Sequence, residues 1–250
     1  MVCPSSVVAH LSKFIVTIGC MKTLGNPYGK ASTWSLRAFQ ILLSHSILGI
    51  LRFGVPFITS TTIIAKYLRI FYDWYSKIVD VAPLALFTAG ILNGYGINEK
   101  IWLIVFSLGI LPIFFQLQSK RKESQIRKHQ LLLNIASTLQ LLMITLIGIR
   151  NSNYNVISLV ASYIFERFFI DEFCYYYDIP STDLTQYSLC FIEIFMVFTL
   201  NEFKVPIMKK KFCKIYFTEI HVLRPPDHIL IIEKMKFFFI PMYEHTYVYY

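Results

Sequence analysis

Apolar residues in this chain come in long runs separated by short polar links, rather than in the alternating pattern of half-buried strands. The first long run, Phe39–Thr59, reaches the length of about 20 residues that a membrane-crossing helix needs. Arg52, Gly54 and Pro56 fall together in its second half, so it reads either as one kinked spanning helix or as a re-entrant pair of short helices. Ile78–Ile97 follows, with Asp80 at its edge and Asn93 and Gly94 near its end. Only Asn98, Glu99 and Lys100 separate it from Ile101–Leu117, which predicts an antiparallel helical hairpin. Beyond the basic stretch 119–130 lies Leu131–Ile149, which carries Asn134 and Gln140. Tyr154–Ile170 is a weaker run because Glu166 and Arg167 lie inside it, and Leu184–Phe203 has Glu193 at its middle. Residues 204–250 mix basic and aromatic residues without helical periodicity and include short β-prone runs.

Composition strengthens this reading. Hydrophobic residues make up 55% of the 250 and charged residues 16%, against about 25% charged in a typical soluble domain. The mean hydropathy is +0.53. Together these features predict an all-α, polytopic transmembrane helical bundle, with roughly four to six membrane helices on the length criterion and a poorly ordered or mixed C-terminal tail. The expected division is a cytoplasmic or interfacial segment over 1–36, a transmembrane domain over 37–203, and a tail over 204–250. Val7–Cys20 is interrupted by His10 and Lys13 and lacks a basic stretch before it, so it does not read as a cleavable signal. It remains a second route by which the chain might first cross the bilayer. No lipidation motif, CaaX box or N-x-S/T acceptor is present in the sequence.

The net charge is +9. The cations cluster beside apolar runs and carry no nucleic-acid fold signature, so the bilayer and its anionic headgroups are the expected partners, and nucleic acid is not. Lys120, Arg121, Lys122, Arg127 and Lys128 are the expected headgroup contacts, and a membrane protein partner is a further expectation. The positive-inside rule places the links holding Lys66, Arg69 and Lys77 and the 119–130 stretch on the cytoplasmic side, together with the tail from Lys204. That parity holds if Tyr154–Ile170 does not cross. Its internal charges, at roughly 2.5–3.5 kcal/mol each at a helix centre, favour demoting it. The N-terminal cations Lys13, Lys22, Lys30 and Arg37 also favour the cytoplasm, and either a re-entrant first run or a crossing by Val7–Cys20 would allow it.

Charges within apolar runs are the candidate chemistry, because such groups are expensive in lipid unless paired. Arg52 and Glu193 are expected to pair, either lining a substrate path or fixing helix packing. With Asp80 and Asn93 they form the candidate intramembrane polar site. His45 and His129 lack the matched depth that haem ligation needs, and the other histidines lack ligand spacing, so no metal or cofactor is expected. The 5 cysteines are scattered without a CxxC pair. The acidic stretch 171–183 reads as a loop and helix N-cap at Pro180–Asp183 rather than a metal site, and Cys190 lies too deep in its run to bridge Cys174. No catalytic motif or internal repeat is found. The leading functional expectation is a non-enzymatic accessory membrane protein acting through helix packing and partners. A small transporter or channel is the alternative, and it requires Arg52, Asp80, Asn93 and Glu193 to converge on one water-filled cavity. A membrane-embedded lipid enzyme using the 171–183 carboxylates is the third.

Overall fold

A computed structural model of the chain describes residues 4–24, 30–54, 63–118 and 123–203. These are helical almost throughout: α1 (Pro4–Leu24), α2 (Lys30–Gly54), α3 (Ile63–Val79), α4 (Ala82–Gly94), α5 (Glu99–Gln118), α6 (Glu123–Arg150), α7 (Asn155–Ile164), a π-helical turn (Phe165–Phe169), α8 (Ile170–Tyr177) and α9 (Ser181–Glu202). Among the described residues, 5 helical stretches are long and apolar enough to cross a membrane: Pro4–Leu24, Thr33–Gly54, Ile63–Gly94, Gln130–Arg150 and Ser181–Glu202. The expected tail at 204–250, the side chains of Lys120, Arg121, Lys122, Arg127 and His129, and residues 55–59 at the end of the Phe39–Thr59 run lie outside the described residues. Up to Gly54 that run belongs to one continuous helix of 25 residues.

α1 packs along α2 and α9 as an integral member of the bundle. Its sequence explains why. Ser6, Ala9, His10, Lys13, Thr17 and Cys20 recur at three- and four-residue spacing and are buried, whereas Val8, Leu11, Ile15 and Ile18 face outward. This helix is amphipathic with its polar stripe turned inward, the reverse of a soluble surface helix. α9 follows the same logic, burying Asp183, Gln186, Cys190 and Glu193 while Phe191 and Phe198 are exposed. An apolar exterior over a partly polar interior is what lipid-facing helices require.

α4 is the central helix, with every residue from Ala82 to Leu92 buried. It is separated from α3 at Asp80 and Val81, because Pro83 in its first turn has no N–H to continue the helical ladder from Val79. The predicted α4–α5 hairpin forms around a turn at residues 95–98, where the Asn98 side chain accepts a hydrogen bond from the Lys100 N–H at 3.0 Å. At the other end of the bundle, Asp178 in the left-handed region (φ 52°) closes α8, and the Ile179 N–H reaches the Cys174 carbonyl at 3.1 Å. The expected loop before α9 is therefore present, but no side-chain cap bond is made there.

Helix directions follow from named contacts. Ser6 bonds Asp183 and Lys13 bonds Gln186, so α1 and α9 run parallel. Lys13 meets His45, and His10 lies against Gly49, so α1 and α2 are antiparallel. Asn153 donates to the Thr199 carbonyl at 3.1 Å and Asn155 to Glu202 at 2.6 Å, while Tyr95 packs on Phe203 with centroids 4.5 Å apart. The C-terminal ends of α4, α6 and α9 therefore share one end of the bundle. Burial raises the Tyr95 phenol at this end above its ordinary value, opposed by the Asn153 amide.

Among the described residues, the stretches long and apolar enough to cross a membrane do not include 155–177, in keeping with the demotion of Tyr154–Ile170. Residues 155–177 run the length of α9 antiparallel to it, so Phe203 leaves the bundle at the end opposite the link between α5 and α6. The internal charges that argued against Tyr154–Ile170 are accommodated locally. The π-helical turn carries Glu166 and Arg167, and the Arg167 guanidinium donates twice to the Asn134 side-chain oxygen on α6, at 3.1 and 3.0 Å.

Candidate functional site

The inward polar stripes of α1, α2 and α9 meet in the core. Lys13 is 0% exposed, yet its ammonium donates to Nδ1 of His45 at 3.1 Å and to Oε1 of Gln186 at 3.0 Å. An ammonium has no lone pair, so Nδ1 of His45 must accept, and the ring proton belongs on Nε2. Nε2 then donates to Ser76 Oγ at 3.0 Å, and Ser76 passes its hydroxyl proton to the Tyr72 carbonyl at 2.9 Å. One hydrogen-bonded path thus runs from α1 through α2 to α3.

Glu193 lies beside this path on α9 and is also 0% exposed. Neither carboxyl oxygen has a hydrogen-bond partner among the described residues. Lys13, Tyr163, Cys20 and Cys190 lie within reach of its charge, and Thr17 lies beside it. The Thr17 hydroxyl spends its single proton on the Lys13 carbonyl at 2.7 Å and has none left to give. A buried carboxyl without a donor is costly unless a proton or a cation accompanies it. Toward the Asp183 end, Tyr72 and His10 Nε2 lie 3.0 Å apart, and Ser6 donates to Asp183 at 2.6 Å.

The expected Arg52–Glu193 pair is not formed. Arg52 is ion-paired to Asp73 on α3, with its guanidinium carbon 4.5 Å from the Tyr72 ring centroid and 5.0 Å from that of Phe53. Arg52 is 23% exposed and Asp73 62% exposed, so the pair lies at the rim of the bundle while Glu193 is in its core. Asp80 lies exposed at the α3–α4 break, within electrostatic reach of Arg167. Asn93 lines a separate cleft with Trp34, Arg37, Glu99 and Trp102, to which none of the other three contributes. Arg52 and Asn93 therefore lie apart from Glu193, whereas Asp80 and Glu193 are both within electrostatic reach of Lys13.

In the sequence Lys13 and His10 read as interruptions of an apolar run, Lys13 also as a cation that favours the cytoplasm, and His45 as a poor haem ligand. The signal that finds them is periodic: polar residues recurring on one stripe of an otherwise apolar helix point inward in a lipid-facing bundle. Among the described residues no group of three or more His, Cys, Asp or Glu side chains is placed to hold a metal ion. Asp171, Glu172 and Asp178 are exposed while Asp183 is buried against α1. Cys20, Cys174 and Cys190 are buried free thiols. No protein family model, curated protein or solved structure was found to match the chain.

Proposed function

We propose that this chain is a multi-pass membrane protein that moves protons or a small cation through the α1–α2–α9 core, a small transporter or channel. The observation that carries the proposal is the fully buried Lys13–Glu193 neighbourhood, in which the geometry gives the carboxyl oxygens no hydrogen-bond partner among the described residues. Ionisable groups inside membrane helices are costly and mark ion or proton pathways. Glu193 is the group that takes up the proton or cation. Lys13 is the fixed countercharge that releases it. His45 is built to relay, since a proton taken on Nδ1 can leave from Nε2 toward Ser76. The alternative site built on Arg52 and Glu193 is replaced by Lys13 and Glu193, and the same function class is kept.

The test is flux. Purified protein in liposomes with a trapped pH-sensitive dye is given a valinomycin-driven potassium potential. The expected result is proton entry above that of empty liposomes, lowered at least tenfold by Glu193→Gln in protein that remains helical and monodisperse. Flux no greater than that of empty liposomes, for protons and for sodium, refutes the proposal.

One observation favours a second reading, an accessory protein that acts through packing. The core around Lys13 is closed, and the described clefts lie elsewhere, along α3 and beside Trp34. On that reading Glu193→Gln leaves flux at background and changes only stability.

A further inference from the structure

Trp34, Arg37, Asn93, Glu99 and Trp102 line a cleft of about 400 Å³, together with Thr33 and Ile97, at the end of the bundle where α2 begins and α4 ends. Its volume lies within the range of about 300–1,000 Å³ typical of small-ligand sites. The Trp34 and Trp102 rings meet edge to face at 5.4 Å, and Phe106 backs Trp34 at 5.4 Å, so the aromatic wall is rigid. The charges on its rim are opposite and unjoined. Arg37 is held with its guanidinium carbon 6.0 Å from the Trp34 ring centroid, and the ion-paired residues described are Arg52 and Asp73, not Arg37 and Glu99.

Each group in the cleft selects a different part of a ligand. A guanidinium presents a planar fork that matches phosphate or carboxylate oxygens. An indole face and a carboxylate both attract an alkylammonium, and aromatic walls are the usual recognition surface for quaternary nitrogen. The Asn93 side chain is half-buried and supplies one donor group and one acceptor. A single charge would satisfy one rim residue and leave the other exposed in the same cleft. A ligand with both charges satisfies both.

We propose that this cleft binds a zwitterion of the phosphocholine type, with the anionic phosphate on Arg37 and the quaternary ammonium between Glu99 and the Trp34–Trp102 wall. The ligand is either the headgroup of a membrane lipid or a soluble molecule of the same chemistry. The site is separate from the Lys13–Glu193 core and does not depend on the transport proposal.

The test uses intrinsic fluorescence. The chain has 3 tryptophans, so Trp74→Phe leaves Trp34 and Trp102 as reporters. Protein in phosphatidylglycerol nanodiscs is titrated with glycerophosphocholine, and separately with choline chloride and with inorganic phosphate. The expected result is a saturable change with glycerophosphocholine and at least tenfold weaker binding of either half alone. Arg37→Gln and Glu99→Gln, both at exposed positions, are each expected to weaken binding at least tenfold. Repeating the titration in phosphatidylcholine nanodiscs separates the sources: loss of the response means that lipid headgroups already fill the cleft, and an unchanged response means a soluble ligand. No saturable change in phosphatidylglycerol discs, choline binding as tightly as the zwitterion, or unaltered binding by both variants overturns the proposal.

Discussion

The Lys13 ammonium donates to Nδ1 of His45 at 3.1 Å across the antiparallel α1–α2 interface, in a place that water does not reach. The same ammonium holds Oε1 of Gln186, so one side chain ties α1 to both α2 and α9. Lys13→Met leaves two buried acceptors without donors, each worth about 1–3 kcal/mol. The expected loss is about 2–6 kcal/mol in total on that scale, read as a lowered thermal midpoint in detergent. A variant as stable as the parent would show that these bonds contribute nothing net.

Arg52 and Asp73 form the ion pair, so charge reversal should be complementary for those two residues and no others. Arg52→Asp alone loses both the pair and the stacking on Tyr72 and Phe53, for about 1–2 kcal/mol. Adding Asp73→Arg is expected to recover about half of that loss, since the cation then returns from the other helix but the ring contacts do not. Adding Glu193→Arg instead is expected to worsen stability, because it buries a second cation beside Lys13. Thermal midpoints of the four proteins, parent included, decide the matter. Rescue by Glu193→Arg would restore the pairing that the helix runs alone suggested.

Gly49 lets the His10 ring lie against the α2 backbone. A Cβ there would fall 2.3 Å from Nδ1 of His10, well inside contact distance. Gly49→Ala is therefore expected to push His10 away from Tyr72 and to cost about 1–3 kcal/mol from overpacking. Pairing it with His10→Ala should remove most of the penalty. If Gly49→Ala and the parent melt together, helix α1 is free to shift and the close approach is not a constraint.

The two ends of the bundle can be told apart by thiol labelling of intact vesicles from a cysteine-free background. Lys100→Cys and Asn151→Cys lie at the end where α4 and α6 finish, and Tyr176→Cys lies in α8 near the opposite end. All three positions are exposed. In a bilayer, the first two are expected to react with an impermeant maleimide from one side and the third only from the other. Labelling of all three from a single side would return residues 155–177 to an interfacial position.

Much of the helical architecture was legible because it rests on local properties. Run length and composition show how much apolar helix the chain makes, and the short link at Asn98–Lys100 leaves α4 and α5 little choice but to fold back on each other. Pro83 breaks the helix within its own turn. The charge asymmetry that argues orientation was less informative, since Lys100 and Arg150 lie at the end opposite Lys66 and Arg69. Glu166 and Arg167 argue for demoting Tyr154–Ile170, and the Arg167 guanidinium meets Asn134 on α6, a partner that the run itself does not reveal.

The sequence by itself determined which residues share a stripe on each helix, because 3.6 residues per turn place Ser6, His10, Lys13 and Thr17 on one side of α1 whatever surrounds it. Only the tertiary structure decided which stripes face one another. That choice brings Lys13 to His45, Gln186 and Glu193, gives Arg52 to Asp73, and leaves Asn93 in a cleft with Arg37 and Glu99. The physical reason is that burial and hydrogen bonding are satisfied between helices far apart in sequence, and helical periodicity carries no record of the neighbour it will meet.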